Sequence, residues 1–157
     1  MPDTQKIKMF PSNDLHFDRH NPRMAEYGLS PQATDEEVLS MLWEAMDVRE
    51  IVMSIAASGF FKHETLIVAE EEGRHVVIEG NRRLAAVRVL LNPELAHDDW
   101  RIPEISQEVK DTLQKLPAVE SNRKDAWRFL GFKHVNGPAK WTSYAKAQYV
   151  AGVHRKY

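Results

Sequence analysis

The residues best suited to do chemistry stand together at positions 79–83, in the order Glu-Gly-Asn-Arg-Arg. An apolar run ends just before Gly80 and a helical pattern follows it, which predicts a turn between a strand and a helix. The first amides of a helix have no partner inside it, and the helix dipole favours negative charge there. Glycine also lets a phosphate approach the backbone without a side chain in the way. This turn is therefore a candidate anion site.

Arg82 and Arg83 add two cations to the first turn of that helix. This is the unfavourable end of the dipole for a positive charge, at a cost of about 0.3–1 kcal/mol each. A bound phosphate would offset the cost. Pairing with acids such as Glu79, or exposure to solvent, would offset it too, and the residue types alone leave these alternatives open.

A zinc site is not expected in this sequence. The chain has seven dispersed histidines and no cysteine, and the spacings typical of zinc ligands do not occur. His16 and His20 are four residues apart but fall in a segment predicted to be strand and loop. Magnesium that accompanies a nucleotide needs only one or two protein oxygens, so Mg²⁺ remains possible.

The elements predicted around the turn belong to an α+β fold. Strands are predicted at 15–18, 66–69, 75–78 and 116–119, the second and third forming a hairpin across residues 70–74. Thr34 with Glu37 and Asp47 with Glu50 have capping-box spacing, so each pair predicts a helix, the second ending at Gly59. Further helices are predicted at 81–91, where Asn92-Pro93 ends the pattern, and at 104–115.

The C-terminal part of the chain is basic. Residues 121–157 contain eight lysines and arginines against one acid, although the whole chain has a net charge of −2. Helices are predicted at 123–130 and 140–157, joined by a loop at 131–138. We therefore divide the chain into a domain at 1–120 and a basic helical extension at 121–157, which we expect to continue into a further module. The candidate nucleic-acid-binding residues are Arg123, Lys124, Lys133, Lys146, Arg155 and Lys156; the alternative is a solvated basic helix face.

Composition places the chain among ordinary globular proteins. It has 157 residues, 43% hydrophobic and 28% charged, and no apolar run approaches the roughly 20 residues that span a bilayer. The N-terminus lacks the apolar core of a signal peptide. We expect a cytoplasmic protein with no membrane partner.

Four elements in order resemble the N-terminal domain of ParB partition proteins, in the ParB/sulfiredoxin-like superfamily. They are Asn-Pro-Arg at 21–23, Ser-Ile-Ala-Ala-Ser-Gly at 54–59, the strand at 66–68, and Val-Ile-Glu-Gly-Asn-Arg-Arg-Leu-Ala-Ala at 77–86. The resemblance implies a small mixed sheet with flanking helices, followed by C-terminal helices. It also implies binding of CTP or ATP with Mg²⁺. The phosphate contacts would come from Gly80, Asn81, Arg82, Arg83 and Arg23, and Ser54 and Thr65 would border the base or ribose.

The chain departs from the family at the residue after Gly80. The glutamate implicated in hydrolysis is replaced by Asn81, and an amide cannot act as a base at neutral pH. Glu79 is then the candidate substitute and the candidate Mg²⁺ ligand, so Glu79 and Asn81 are the candidate catalytic residues. The sulfiredoxin reaction needs a cysteine in this turn and is excluded.

A second family element, Glu-Asn-x-x-Arg, has no match here. The corresponding region is 131–141, which includes the predicted loop, and its own chemistry offers His134, Asn136 and Lys140 as phosphate or metal contacts. The alternative is an ordinary loop between helices.

Three hypotheses follow for function. The first is a nucleotide-dependent switch, acting as a homodimer in a DNA-associated system such as partition, phage biology or phage defence. The second is an enzyme: a ParB-like nuclease, or one that hydrolyses nucleoside triphosphates or transfers a phosphoryl group. The third is an interaction domain in which the turn has become structural.

Overall fold

A five-stranded mixed sheet forms the centre of the chain. The computed structural model describes residues 6–61 and 63–136, the last five of these as backbone alone. The strands are β1 (Ile7–Pro11), β2 (Leu15–Phe17), β3 (Leu66–Glu71), β4 (Arg74–Glu79) and β5 (Lys115–Glu120). Their order across the sheet is β1-β5-β3-β4-β2. The pairs β1–β5 and β3–β4 are antiparallel, whereas β3–β5 and β2–β4 are parallel.

The described helices pack on both faces of this sheet. They are α1 (Pro22–Glu26), α2 (Asp35–Ala45), α3 (Val48–Ser58), α4 (Asn81–Leu91), α5 (Gln107–Thr112) and α6 (Arg123–Asn136). Short 3-10 turns occur at Ser12–Asp14, Pro93–Leu95 and Asp98–Trp100. The architecture confirms the predicted α+β class and the mixed sheet.

Alternation along the strands divides the core between two faces. Leu66 and Val68 of β3 point into the larger core, which includes buried side chains of α2, α3 and α4. Ile67 and Ala69, their neighbours in sequence, point to the other face, where Ala126, Trp127 and Leu130 of α6 cover them. Since successive side chains of a strand point to opposite faces, one run of six residues supplies both cores.

Most of the predicted elements are present. The capping box at Thr34 forms as expected, with Oγ1 accepting from the Glu37 amide. The cap predicted at Asp47 does not form, because Asp47 has a left-handed backbone and makes no side-chain cap bond, yet α3 still begins at the next residue.

Four expectations about elements were incomplete or wrong. β1 was not predicted, and neither was α1, which starts at Pro22 after the extended Asn21. The helix predicted at 104–115 is limited to α5. The loop predicted from Gly131 was also wrong, because α6 continues through Gly131 to Asn136.

In the part of the chain that the structure describes, every helix is too short or too polar to cross a membrane.

Candidate functional site

The predicted strand–glycine–helix turn is present at the end of β4. Glu79 is the last residue of that strand, Gly80 has φ of 108°, and α4 begins at Asn81. A Cβ at Gly80 would lie 2.2 Å from Cδ2 of Leu66 and 3.0 Å from Nη2 of Arg83. Glycine is therefore required here by backbone conformation and by protein neighbours, independently of any ligand.

The start of α4 is the electropositive end of an eleven-residue helix. The first intrahelical bond recorded at its boundary runs from the Leu84 amide to the Gly80 carbonyl at 2.9 Å. The amides of Asn81, Arg82 and Arg83 precede this bond, so they have no acceptor within the helix. These three donors and the helix dipole suit an anion.

The side chain of Asn81 has a structural role, so its predicted contact with phosphate would fall to its backbone amide, and its catalytic role stays a prediction. It is buried, its Oδ1 accepts from the Asp18 amide at 3.1 Å, and its Nδ2 donates to the Val77 carbonyl at 2.8 Å. Asn81 thus fastens the end of β2 to β4. Its backbone amide alone remains suited to an anion.

The side chain of Arg83 is hydrogen-bonded to the backbone of the segment that precedes β3. Its Nη1 donates to the carbonyls of Glu64 and Thr65, the latter at 3.4 Å. Burial lowers the pKa of Arg83, while Glu79 and Glu64 act in the opposite direction. Thr65 therefore contributes a carbonyl to Arg83, and the predicted contacts of both residues with a nucleotide remain predictions.

Arg82 is less completely satisfied than Arg83. Its Nη2 donates to the Asp47 carbonyl at 3.3 Å. Its Nε is buried and has no hydrogen-bond partner among the described residues. A buried donor without an acceptor costs about 1–3 kcal/mol.

Arg23 is brought to the same place by the Asn-Pro-Arg element. Oδ1 of Asn21 accepts from the Arg23 amide at 2.9 Å and caps α1. Nδ2 of Asn21 lies 3.5 Å from the Ile78 carbonyl, close to the end of β4. The cap explains why this tripeptide starts a helix, and the contact with Ile78 places Arg23 beside the turn.

These residues open onto one cleft of about 550 Å³. Among the described residues, three arginines and three glutamates line its charged part: Arg23, Arg82, Arg83, Glu50, Glu64 and Glu79. The apolar part includes Ile51, Ile55, Phe60, Phe61 and Leu130. The cleft therefore combines a cationic helix start, three carboxylates and an apolar wall.

The described side chains of the cleft suit Mg²⁺ only when a bound ligand supplies further oxygen atoms. The described residues contain no group of three or more His, Cys, Asp or Glu side chains that could hold a metal alone. Glu79 lies in the cleft wall and offers one carboxylate. Since Mg²⁺ in nucleotide sites takes one or two carboxylates together with phosphate oxygens and waters, this arrangement fits a nucleotide-bound ion.

The predicted residues of the second half of the site are only partly described. Ser54 is exposed on α3 and lines the cleft. His134 and Asn136 lie in α6 and not in the predicted loop, so the proposed loop contacts lose their structural basis. Lys140 lies outside the described residues.

Arg123 corrects the predicted nucleic-acid surface. Arg123 is only 3% exposed. Its guanidinium forms two hydrogen bonds with Asp18, at 2.8 and 3.0 Å, and two with Glu71, both at 2.7 Å. Burial acts to lower its pKa, but the hydrogen bonds with Glu71 and the charge of Asp18 outweigh it, so the pKa is raised. Arg123 also lies over the ring of Trp127, with Cζ 5.1 Å from the centroid.

The other basic residues predicted to bind nucleic acid are not placed by the structure in the same detail. Lys124 is half-buried at the start of α6 and takes part in an interaction within the protein. Lys133 is described as backbone alone. Lys146, Arg155 and Lys156 lie outside the described residues, so their role remains a prediction.

Sequence reasoning missed several residues of the cleft. Glu50, Phe60, Phe61 and Glu64 line it together with Leu130 of α6. The adjacent aromatic pair directly after Gly59, at the end of a helix assigned to the site, was the available signal for Phe60 and Phe61. No sequence signal pointed to Leu130, because it lies far along the chain from the other four residues.

A scan against protein-family models found no match for this chain, and a search of curated proteins found none either.

Proposed function

We propose that the chain is a nucleoside triphosphate-binding domain of the ParB/sulfiredoxin-like kind that binds CTP or ATP in the cleft beside Gly80. The observation that carries the proposal is the wall where the start of α4, Arg82 and Arg23 meet. Three amides and two guanidinium groups there can surround phosphate oxygens. Charge-assisted hydrogen bonds of this type are roughly twice as strong as neutral ones.

The two arginines of α4 supply the first argument for an anionic ligand. Both lie at the positive end of the helix dipole. The carbonyls of Glu64 and Thr65 offset this for Arg83. Arg82 has one longer bond to a carbonyl and an unpartnered Nε. A phosphate in the cleft would neutralise the charge of Arg82.

The size and composition of the cleft supply the second argument. Small-molecule sites usually enclose about 300–1,000 Å³ and combine an apolar lining with a few polar groups. The cleft has this volume and this mixture. A nucleotide matches it, because one end of the ligand is anionic and the other is a planar base.

The wider proposal is a nucleotide-dependent switch in a DNA-associated system. Asn81 uses its side chain inside the fold, which favours binding over rapid turnover. Glu79 would be the protein ligand of Mg²⁺. The basic residues of 121–157 other than Arg123 support a DNA partner, and homodimerisation on the nucleotide would couple the two events.

Calorimetry with Arg82→Ala tests the site. We expect the wild type to bind Mg²⁺–CTP or Mg²⁺–ATP, and the variant to bind about 10- to 150-fold more weakly, because a hydrogen bond to a charged group contributes about 1.5–3 kcal/mol. The matched control is Arg74→Ala, an exposed arginine at the opposite end of β4. It should bind like the wild type. Equal affinity of the Arg82→Ala variant and the wild type would show that the site is wrongly assigned.

Phosphate release in the same samples separates a switch from an enzyme. A switch binds nucleotide and releases phosphate slowly or not at all. Rapid release by the wild type would favour the hydrolase alternative, and cleavage of plasmid DNA would favour the nuclease.

A further inference from the structure

An aromatic ring is exposed at the wall of the cleft. Phe61 is 58% exposed, although burying an aromatic side chain removes roughly 150–250 Å² of surface from water. It lines the cleft together with Phe60, which is half-buried against the main core. Phe60 thus anchors the segment after α3, while Phe61 stays largely exposed, with the ring of His63 tilted against its own at 6.2 Å between centroids.

The segment that carries Phe61 is attached to the start of α4. The Glu64 amide donates to the Phe61 carbonyl at 3.0 Å, which closes a turn. The carbonyls of Glu64 and Thr65 accept from Nη1 of Arg83. The backbone amide of Arg83 is itself one of the three proposed for phosphate. The side chain of Arg83 therefore links the segment that carries Phe61 to the start of α4.

A cleft with these two walls selects a ligand with two chemically distinct ends. The cationic wall takes an anion, and an accessible phenyl face takes a flat, polarisable ring. Aromatic side chains stack on bases with a contribution of about 1–3 kcal/mol per base, and they tolerate different bases because every base has a π-face. A nucleobase joined to a phosphate chain has both ends.

We propose, resting on the function proposed above, that Phe61 is the stacking platform for the base and that Arg83 is the positioning residue that holds it. Phe61 then contributes to the affinity for nucleotides and not to the affinity for phosphate alone. Arg83 acts on the base indirectly, because it holds the segment that carries Phe61. Arg82 and Arg23 act on the phosphates directly.

Binding of nucleotide and of inorganic tripolyphosphate to the same variants tests this assignment. Phe61→Ala should bind ATP and CTP about 5- to 150-fold more weakly and tripolyphosphate as the wild type does. Phe61→Trp should retain nucleotide binding and gain a tryptophan emission that nucleotide quenches. Phe129→Ala, which truncates an exposed aromatic of α6, is the matched control and should change neither affinity.

Arg83→Met tests the positioning role. We expect it to weaken nucleotide binding more than tripolyphosphate binding. The variant loses the hydrogen bonds that hold the segment carrying Phe61, while the phosphate donors remain. Equal weakening of both ligands would make Arg83 a direct phosphate ligand and overturn this part of the proposal. Thermal melting of each variant shows that it is folded.

The two proposals fail in different ways. If the wild type bound neither nucleotide nor tripolyphosphate, the proposed function would be wrong, and the role of Phe61 with it. If the wild type bound nucleotide and Phe61→Ala bound it equally well, the proposed function would stand and the stacking assignment would be wrong.

Discussion

Arg123 is a buried residue whose guanidinium lies between two carboxylates from separate elements. It belongs to a basic run, which predicted a surface role, but its two carboxylate partners come from β3 and from the residue after β2. Asp18 is more than one hundred positions away along the chain. Counting charges along a sequence cannot reveal a partner at that separation, so the prediction failed at this residue.

Replacement of Arg123 by methionine should strongly destabilise the protein. Asp18 is fully buried, and removing one partner of a buried pair leaves an uncompensated charge, at a cost of about 3–5 kcal/mol. Urea unfolding measures the difference in free energy. The control Arg128→Met changes an exposed residue of the same helix and should stay within about 0.5 kcal/mol of the wild type. A small effect of Arg123→Met would mean that the pair contributes little net stability.

His16 makes stability depend on pH. Burial lowers the pKa of His16, and the nearby charges of Arg74, Arg88 and Arg19 act in the same direction, while Asp35 opposes them. The unfolded chain then binds more protons than the folded chain at intermediate pH. This contribution to stability is present in full above pH about 6.5 and is lost as the pH falls through the lowered folded-state pKa.

The test for His16 is the free energy of unfolding of wild type and His16→Gln between pH 8 and pH 4.5. The difference between the two proteins should change in favour of the glutamine variant as the pH falls, since glutamine does not titrate. A constant difference over this range would contradict the assigned direction.

At the scale of elements, local sequence signals were sufficient where the chain caps or turns on itself. The capping box of α2, the hairpin of β3 and β4, and the turn before α4 were predicted from residues within a few positions. The signals failed where a buried environment tolerated an unfavourable residue. Gly131 looked like a helix end, but it is a buried residue within α6, and glycine inside a helix costs only about 1 kcal/mol.

Gly80→Ala should destabilise the protein more than the same change at another left-handed glycine. An alanine Cβ would meet Leu66 at 2.2 Å in addition to the backbone strain at φ of 108°. We expect a cost of about 2–4 kcal/mol, the sum of strain and overpacking. Gly73→Ala is the control, because Gly73 has φ of 76° with nothing within 4 Å of the added Cβ. Equal losses in denaturant unfolding would mean that the contact with Leu66 is unimportant.

At the scale of the whole molecule, the order of the strands and the cleft could not be derived from local patterns. The cleft draws on α1, α3, residues 59–61 and Glu64 after α3, α4 and α6. The resemblance placed Arg23, Ser54 and the turn at 79–83 near one another, and the structure brings them to one cleft. It gave no information on Phe61 or Leu130, because their place depends on how the loop and α6 pack.

The pairing of β1 with β5 has a consequence for how the chain reaches its native state. Ile7 lies opposite Val119 and Pro11 opposite Lys115, so the first strand has its partner more than one hundred residues later. Contacts at such separations slow folding, because the entropy of closing a long loop is lost before the contact forms. During synthesis β1 therefore cannot pair until β5, near the end of the described chain, has left the ribosome. In that interval Phe10, which the folded protein buries, is exposed to water together with Ile7 and Met9, so the unpaired strand adds apolar surface that favours aggregation.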